Sequence, residues 1–221
     1  MGIPERRERE KTERRKAILG CARELILERG VERVSMEEIA QKAELSKATL
    51  YLYFSGKELI FNEICEESAR IFLDHISLYP DSHLDGISAL RHFWHGFMEL
   101  FGNFDEMIII FKVRNFLNPG QPFVSQEEHG KSPYVDAILS TMKNLIDQCK
   151  AEKIFDSNLD SSMATRLLLM LFSNSVDSAS RLPEEIRNSH VLFDQMKKAF
   201  QILIYGFASE GVHRSQLNIT G

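Results

Sequence analysis

The sequence is poor in cysteine and contains no long apolar run. Only three cysteines occur in 221 residues, and no two of them form a CxxC pair. This spacing argues against a disulfide framework and favours buried free thiols at Cys21, Cys65 and Cys149. The longest apolar runs, residues 107–111 and 167–172, are far too short to cross a bilayer. We therefore expect no association with a membrane.

Catalytic and targeting motifs are also absent from the sequence. It contains no phosphate-binding loop, GxSxG nucleophile elbow or HExxH zinc motif. His92 and His95 lie one helical turn apart, with Glu99 a turn further on, but two further metal ligands would be needed and no other signature supplies them. We expect no enzyme, no catalytic residue, no metal and no cofactor. The first residues lack the apolar core of a signal peptide, so we expect a cytoplasmic protein.

The charge of the chain is unevenly distributed. Its net charge is −5, yet residues 1–57 carry 13 Lys and Arg against 10 Glu, a net charge of +3, and the remaining residues carry −8. Because DNA affinity depends on local neutralisation of phosphates, a basic N-terminal part on an acidic body is compatible with a nucleic-acid partner. The acidic body should limit non-specific attachment to DNA.

Two short helical patterns, separated by a tight turn, follow Ser35. Ser35 and Glu38 have the spacing of a capping box, which starts a helix. Residues 43–45 indicate a turn, after which Ser46 can cap a second short helix over residues 47–53. Two compact helices joined by a three- or four-residue turn form a helix-turn-helix, whose second helix can enter the DNA major groove. DNA binding is therefore the leading hypothesis.

A set of residue types at fixed offsets runs through this motif and its flanks. The set comprises Ile39-Ala40, Ala43, Leu45-Ser46-Lys47, Thr49-Leu50-Tyr51, Tyr53-Phe54 and Lys57-Glu58-Leu59. It closely resembles the DNA-binding motif of the tetracycline-repressor (TetR) family of bacterial transcription regulators. The resemblance begins near Thr12, fades around Phe72 and covers roughly a quarter of the chain. Glu44 stands where the family usually has a turn glycine, so a left-handed backbone there would cost roughly 1–2 kcal/mol. Ala48 stands where the family often has glycine.

Helix geometry and the resemblance together select candidate DNA contacts. On the second helix Leu50 and Phe54 form the buried side, while Lys47 and Tyr51 share the outer side. Lysine can meet a phosphate or a guanine edge, and threonine a phosphate or a thymine methyl. The predicted DNA-contacting residues are Ser35, Ser46, Lys47, Ala48, Thr49, Tyr51, Tyr53 and Lys57.

The rest of the chain shows helical periodicity and no strand pattern. We predict helices over residues 57–78, 84–101, 104–116, 134–151, 159–182 and 188–209, and a flexible loop over 121–132. The predicted fold class is all-α, with an N-terminal three-helix helix-turn-helix domain and a C-terminal helical bundle for ligand binding and dimerisation. The predicted segments are a flexible charged arm at 1–11, the DNA-binding domain at 12–58 with its motif at about 35–54, and the body at 59–221.

The body is rich in phenylalanine and methionine. The most common explanation of such a stripe is core packing, yet flexible methionines beside rigid aromatic walls also suit a pocket for an apolar or amphipathic ligand. The resemblance favours a pocket, because C-terminal domains of the family usually enclose an inducer site. The predicted pocket residues are Trp94, Phe97, Met98, Phe101, Met107, Phe111, Tyr134, Met142, Met170 and Asn174.

The two last predicted helices carry more apolar surface than a monomer of this size usually covers. Residues 167–172 are apolar around the whole helix, so both faces must be buried. An isologous four-helix interface in a homodimer would bury them, as the resemblance also implies, and a central core helix is the alternative. The predicted interface residues are Leu167, Leu171, Leu192, Met196, Phe200, Leu203 and Phe207.

Together these features predict a sequence-specific transcriptional regulator, a repressor released from a palindromic operator by a small apolar or amphipathic ligand. The expected partners are an operator in double-stranded DNA, a second copy of the chain and a small-molecule effector. Three alternatives remain: a small-molecule binding or sequestering protein with a weak DNA head, a ligand-independent regulator or activator, and an enzyme built around His92 and His95.

Overall fold

A computed structural model describes residues 3–76, 84–101, 104–117, 133–183 and 190–218, together with Ile186. Apart from an isolated bridge between Phe155 and Ala208, the regular elements in these ranges are helical, which confirms the predicted all-α class. Within the same ranges, none of the helices combines the length and apolar character needed to cross a membrane. The loop predicted at 121–132 lies outside the described residues.

The helices follow the predicted order, with three short elements that were not predicted. The α-helices are α1 (Ile3–Arg29), α2 (Met36–Lys42), α3 (Lys47–Tyr51), α4 (Lys57–Ile76), α5 (Gly86–Phe101), α6 (Phe104–Ile108), α7 (Arg114–Leu117), α8 (Pro133–Ala151), α9 (Ser161–Ala179) and α10 (His190–Phe207). The short elements are 3-10 helices at Val31–Arg33 and Arg214–Leu217 and a π-helical segment at Ile109–Val113.

Helix α1 begins earlier than predicted. Residues 3–11 are helical where we expected a flexible arm. Oppositely charged side chains one turn apart, such as Arg6 and Glu10 at 2.8 Å, favour this helical end. At the other end the helix stops at Arg29, and Gly30 follows with a φ of 82°, a conformation that glycine tolerates.

Buried side chains form two apolar cores that divide α4 between them. The first core packs α1 to α3 against α4 as far as Cys65, and the second begins at Ala69 and fills the remainder of the chain. We call the part around the first core the head and the remainder the body. Helix α4 therefore continues from head to body. The two cores meet between Cys65 and Ala69 of this helix, beyond residue 58, where the domain boundary is predicted. That domain boundary stays a prediction.

The π-helical segment contributes to both cores. Ile109 and Val113 are fully buried in the head core, whereas Ile110 and Phe111 are buried in the body core. A π-helical turn places an extra residue in the turn and so changes which face the following side chains occupy. Because both sets of side chains lie on one continuous helical stretch, movement of this stretch disturbs both cores.

Four stacked aromatic rings form the centre of the body. The ring centroids of Trp94 and Phe200 are 4.0 Å apart, and those of Phe97 and Phe172 are 3.9 Å apart. All four side chains are almost completely buried. Aromatic side chains bury large apolar areas, so this stack holds α5, α9 and α10 together.

The cysteine predictions hold for two of the three residues. Cys65 and Cys149 are buried free thiols, and burial raises the pKa of each to about 12. These thiols are therefore protonated and unreactive at neutral pH. Cys21 is a free thiol that is only partly buried, although burial still raises its pKa.

Candidate DNA-binding surface and effector cavity

Helix α2 begins with the capping box that the sequence predicts. The Ser35 hydroxyl accepts a hydrogen bond from the Glu38 N–H at 3.3 Å, and the Glu38 carboxylate accepts one from the Ser35 N–H at 3.0 Å. Hydrogen bonds from Ser35 hold the pKa of the Glu38 carboxyl below its usual value. Ser35 thus starts α2 in the free protein.

The turn between α2 and α3 is a Schellman motif. The Leu45 N–H donates to the Ala40 carbonyl at 2.8 Å, and the Glu44 N–H donates to the Gln41 carbonyl at 3.1 Å. Glu44 occupies the left-handed position of this motif, with a φ of 55°. A side chain with a Cβ is disfavoured in this conformation, so Glu44 carries the strain of roughly 1–2 kcal/mol expected from its sequence position.

Helix α3 is shorter than predicted and presents one face outward. It ends at Tyr51, where we expected it to continue to Tyr53. The Ser46 hydroxyl caps it by accepting the Thr49 N–H at 3.1 Å, and Leu50 is fully buried beneath it. The exposed residues of this helix are Lys47, Ala48 and Tyr51, and Thr49 is half-buried.

Lys47 is paired with an acidic side chain in the free protein. Its ammonium group donates to the carboxylate of Glu37 on α2 and lies 5.9 Å from the centre of the Tyr51 ring. The hydrogen bond between the two groups lowers the pKa of Glu37 and raises that of Lys47. Both groups are therefore charged at neutral pH. Glu37 is not among the predicted contacts, although a glutamate in the first turn of α2 is visible in the sequence.

Arg15 of α1 fixes the end of the motif and was not predicted. Its guanidinium lies 4.0 Å from the centre of the Phe54 ring, and its Nη1 donates to the Tyr53 carbonyl at 3.1 Å. Its Nε donates to the Glu63 carboxylate at 3.0 Å. Phe54 is buried, as predicted. Arg15 therefore positions the half-buried Tyr53 beside α3.

Lys57 has different partners from those predicted. Instead of extending towards a phosphate, its ammonium donates to the Val34 carbonyl at 3.1 Å and lies 4.9 Å from the centre of the Phe116 ring. Phe61, whose ring centroid is 5.6 Å from that of Phe116, completes the surroundings. A carbonyl acceptor and aromatic faces satisfy a half-buried cation. Lys57 therefore ties the start of α4 to α7, whose Phe116 packs against the head core.

The body encloses a small, wholly apolar cavity. Its volume is about 20 Å³, whereas one water needs roughly 10–15 Å³ and ligand pockets usually measure about 300–1,000 Å³. The cavity is therefore too small for a ligand in this conformation, and a ligand would require its walls to move apart. The lining residues are Phe72, Phe93, Phe97, Met107, Ile110, Phe111, Ile138, Met142, Leu169 and Phe172.

The predicted pocket residues fall into several groups. Four of the ten line the cavity: Phe97, Met107, Phe111 and Met142. Three belong to the surrounding core: Trp94, Met98 and Tyr134. Met170 and Asn174 are exposed on α9 and are not among the residues that line this cavity. The Phe101 side chain lies outside the part of the chain that the structure describes.

Helix α9 carries an exposed apolar stripe. Met163, Leu167 and Met170 are spaced by four and three residues, lie on one face, and are exposed by 53%, 37% and 49%. Leu167 is a predicted interface residue, and Leu171, beside this stripe, is half-buried. Contiguous exposed apolar residues of this kind mark interaction surfaces.

Helix α10 turns most of its predicted interface stripe inward. Three residues of this stripe are buried in the protomer's own core, Met196, Phe200 and Phe207, because the aromatic stack draws in the ring of Phe200. This corrects the interface prediction for these three residues. Leu203 is half-buried, and the Leu192 side chain lies outside the described residues. Ile202 instead presents an apolar side chain outward, with 67% exposure.

His92 and His95 are placed as ordinary helix residues. The His92 Nδ1 lies 3.0 Å from the Ser88 carbonyl oxygen, and burial lowers the pKa of His95. In the part of the chain that the structure describes, no group of three His, Cys, Asp or Glu side chains is arranged to hold a metal ion.

The fold and the capped motif define the class of this chain, which is that of all-α helix-turn-helix proteins. Residues 18–64 match the family described as "Bacterial regulatory proteins, tetR family". The uncharacterized HTH-type transcriptional regulator YdeS of Bacillus subtilis (strain 168) is 44% identical over 45 residues, covering 20% of this chain and 23% of YdeS. The uncharacterized regulator YvdT of the same organism is 39% identical over 59 residues, covering 27% and 30%. The chain thus matches less than a third of either relative's length.

Several solved structures share the fold over most of the chain. PfmR, a TetR family transcriptional regulator from Thermus thermophilus, has a TM-score of 0.61 at 19% identity and covers 87% of this chain and 99% of its own. The ketosteroid transcriptional regulator KstR2 of Mycobacterium tuberculosis has a TM-score of 0.61 at 18% identity, with coverages of 89% and 96%. The fatty acid degradation regulator FadR from Bacillus halodurans has a TM-score of 0.62 at 19% identity, with coverages of 86% and 93%.

Residues 18–64 thus match the helix-turn-helix segment of the TetR family, and the fold of the described residues is that of TetR family structures. This confirms the family that the motif residues predict.

The strain at Glu44 predicts that Glu44→Gly stabilises the head. Glycine adopts a φ of 55° without a Cβ clash, so we expect the free energy of unfolding to rise by about 1 kcal/mol. Urea unfolding followed by circular dichroism measures this. The control Glu44→Ala removes the charge but keeps the Cβ, and it should not stabilise. Equal stabilisation by both variants would assign the effect to charge.

Proposed function

We propose that the chain is a sequence-specific DNA-binding transcriptional regulator that recognises a palindromic operator. The outward face of α3 carries this proposal, because Lys47, Ala48 and Tyr51 are exposed while Leu50 anchors the helix from beneath. The proposed DNA contacts are Lys47, Ala48, Thr49, Tyr51 and Tyr53. Lysine suits guanine edges and phosphates, and the hydroxyls suit phosphates. Ser35, Ser46 and Lys57 position the helices.

The proposed active form is a homodimer. The exposed stripe of Met163, Leu167 and Met170 on α9, with Ile202 of α10, supports an interface in which two helices from each copy pack together. A two-fold axis through this interface would present two α3 helices to successive major grooves, about 34–36 Å apart. Palindromic recognition follows from that symmetry.

We further propose that the regulator is a repressor that a small apolar or amphipathic effector releases from DNA. Opening the cavity to the size of a ligand must displace its walls, which include Ile110 and Phe111 of the π-helical segment. The same segment inserts Ile109 into the head core, so its displacement reaches the head. An effector acts only through its different affinities for the two arrangements, and such coupling is typically about 1–3 kcal/mol.

The names of two structural neighbours suggest effector classes to try. KstR2 is named a ketosteroid regulator, and FadR a fatty acid degradation regulator. A steroid ketone and a medium-chain fatty acid are both largely apolar and would suit walls without polar groups. These two compounds are our first probes.

One alternative has an observation in its favour. A cavity of about 20 Å³ is also what a regulator without an effector would have. Such a ligand-independent regulator or activator would bind its operator equally with or without the probes. A sequestering protein with a weak DNA head differs from both, because it would show no salt-dependent operator binding.

Selection of bound fragments from a random DNA library at two salt concentrations tests DNA recognition. We expect a palindrome, and we expect Lys47→Ala and Tyr51→Phe to weaken binding to it by roughly tenfold, since each removes a proposed contact. Sedimentation should show an unchanged dimer for both variants. Lys198→Ala, an exposed lysine of α10, is the control. Recovery of only weak, sequence-blind binding that vanishes with salt would refute the proposal.

The effector proposal predicts that filling the cavity abolishes release. Ile138 lines the cavity without contributing to the head core, and Ile138→Phe places a larger side chain in the space that an effector must enter. We expect operator binding to persist while release by the fatty acid or the steroid is lost. Ile138→Val, which enlarges the cavity, should remain responsive. The proposal fails for these effectors if the wild type is released by neither of them, or if Ile138→Phe is released as readily as the wild type.

A further inference from the structure

The helix-turn-helix carries a negative net charge, although it is the part proposed to meet DNA. Residues 35–54 contain two lysines and three glutamates. The ammonium of Lys42 lies 3.0 Å from the carboxylate of Glu24 and 2.9 Å from that of Glu28, both on α1. Lys47 is held by Glu37. Attraction to phosphates therefore contributes little within this motif, and recognition must rely more on contacts to the bases.

Glu37 lies where it can take part in those base contacts. It occupies the first turn of α2, and its partner Lys47 is the first residue of α3. The two helices are fixed by the Ser35 and Ser46 caps and the Schellman turn between them. Both side chains are more than half exposed, so the pair is presented to a ligand without any rearrangement of the core.

An exposed carboxylate beside a DNA-facing lysine weakens binding unless the DNA offers it a donor. Phosphates and the guanine and thymine edges in the major groove present hydrogen-bond acceptors, which repel a carboxylate, whereas cytosine N4 and adenine N6 present donors. The cytosine N4 amino group is a donor, and glutamate accepts hydrogen bonds from it. The guanine paired with that cytosine presents the O6 and N7 acceptors that suit the ammonium of Lys47. A Lys–Glu pair is thus complementary to a G·C base pair in charge and in hydrogen bonding.

We propose that Glu37 and Lys47 act together as a specificity-determining pair that reads a G·C base pair in each operator half-site, with Glu37 accepting from cytosine N4 and Lys47 donating to guanine. This inference rests on the proposed DNA-binding function and adds to it a base-contacting residue outside α3. An A·T pair also offers Glu37 a donor, adenine N6, but its thymine presents Lys47 with the single acceptor O4 in place of the guanine O6 and N7, so the pair favours G·C.

Glu37→Gln tests the pair, since glutamine keeps the size of the side chain but favours adenine over cytosine. DNA selection with the wild type should yield a position in each half-site that is G·C. With Glu37→Gln that position alone should lose its preference or change to A·T. The ratio of the affinity for the G·C operator to the affinity for an operator with A·T at this position should fall at least about fivefold relative to the wild type. Glu37→Ala should relax the same position.

Glu28→Gln is the matched control, because it removes one negative charge and one lysine partner at a site that faces α2 from α1. It should leave the base preference unchanged. Loss of a negative charge in either variant can strengthen binding to every DNA sequence. If Glu37→Gln does only this and retains every base preference, Glu37 is merely a neighbouring charge and the inference is overturned. Should the wild type select no palindrome, the proposed function fails instead, so the two failures are distinguishable.

Discussion

The burial of Ile109 and Val113 in the head core is the constraint on which the rest of the arrangement depends. Both residues are fully buried, yet they belong to a segment whose other side chains, Ile110 and Phe111, line the body cavity. Fully burying such aliphatic side chains contributes about 1.5–3 kcal/mol each. The head therefore draws part of its stability from the body, and the two parts of the chain are joined by packing as well as by α4.

The contacts at the start of α4 follow the same logic. Lys57 sits between the Val34 carbonyl and the ring of Phe116 on α7, and Phe61 packs edge-on against that ring. These contacts hold α7, which directly follows the π-helical segment, against the head core. An effector that opened the cavity would displace the π-helical segment, because Ile110 and Phe111 form part of the cavity wall. That displacement would strain the packing of Ile109 and Val113 in the head core and the contacts of α7.

Local signals predicted the helix-turn-helix well, because they act over three or four residues. The capping residues Ser35 and Ser46, the buried Leu50 and Phe54, and the strained position of Glu44 are all where the sequence places them. The interactions that were missed are tertiary. The partners of Arg15 and Glu37 lie 10 to 48 residues away, so no local pattern reveals them.

The body was predicted less completely for a related reason. Helical periodicity identified the stripe of Met196, Phe200 and Phe207 but could not say whether it faces the same protomer or another one, and the aromatic stack around Trp94 decides that question.

Amide hydrogen exchange on the full chain, comparing the wild type with Ile109→Ala, tests the shared core most directly. Removing a buried isoleucine costs about 2–5 kcal/mol. If Ile109 stabilises the head, the hydrogen-bonded amides of Ile39 and Leu50 should exchange at least about tenfold faster in Ile109→Ala. Ile138→Ala, confined to the body core, should affect them much less. Head amides that stay as protected in Ile109→Ala as in the wild type would contradict the account.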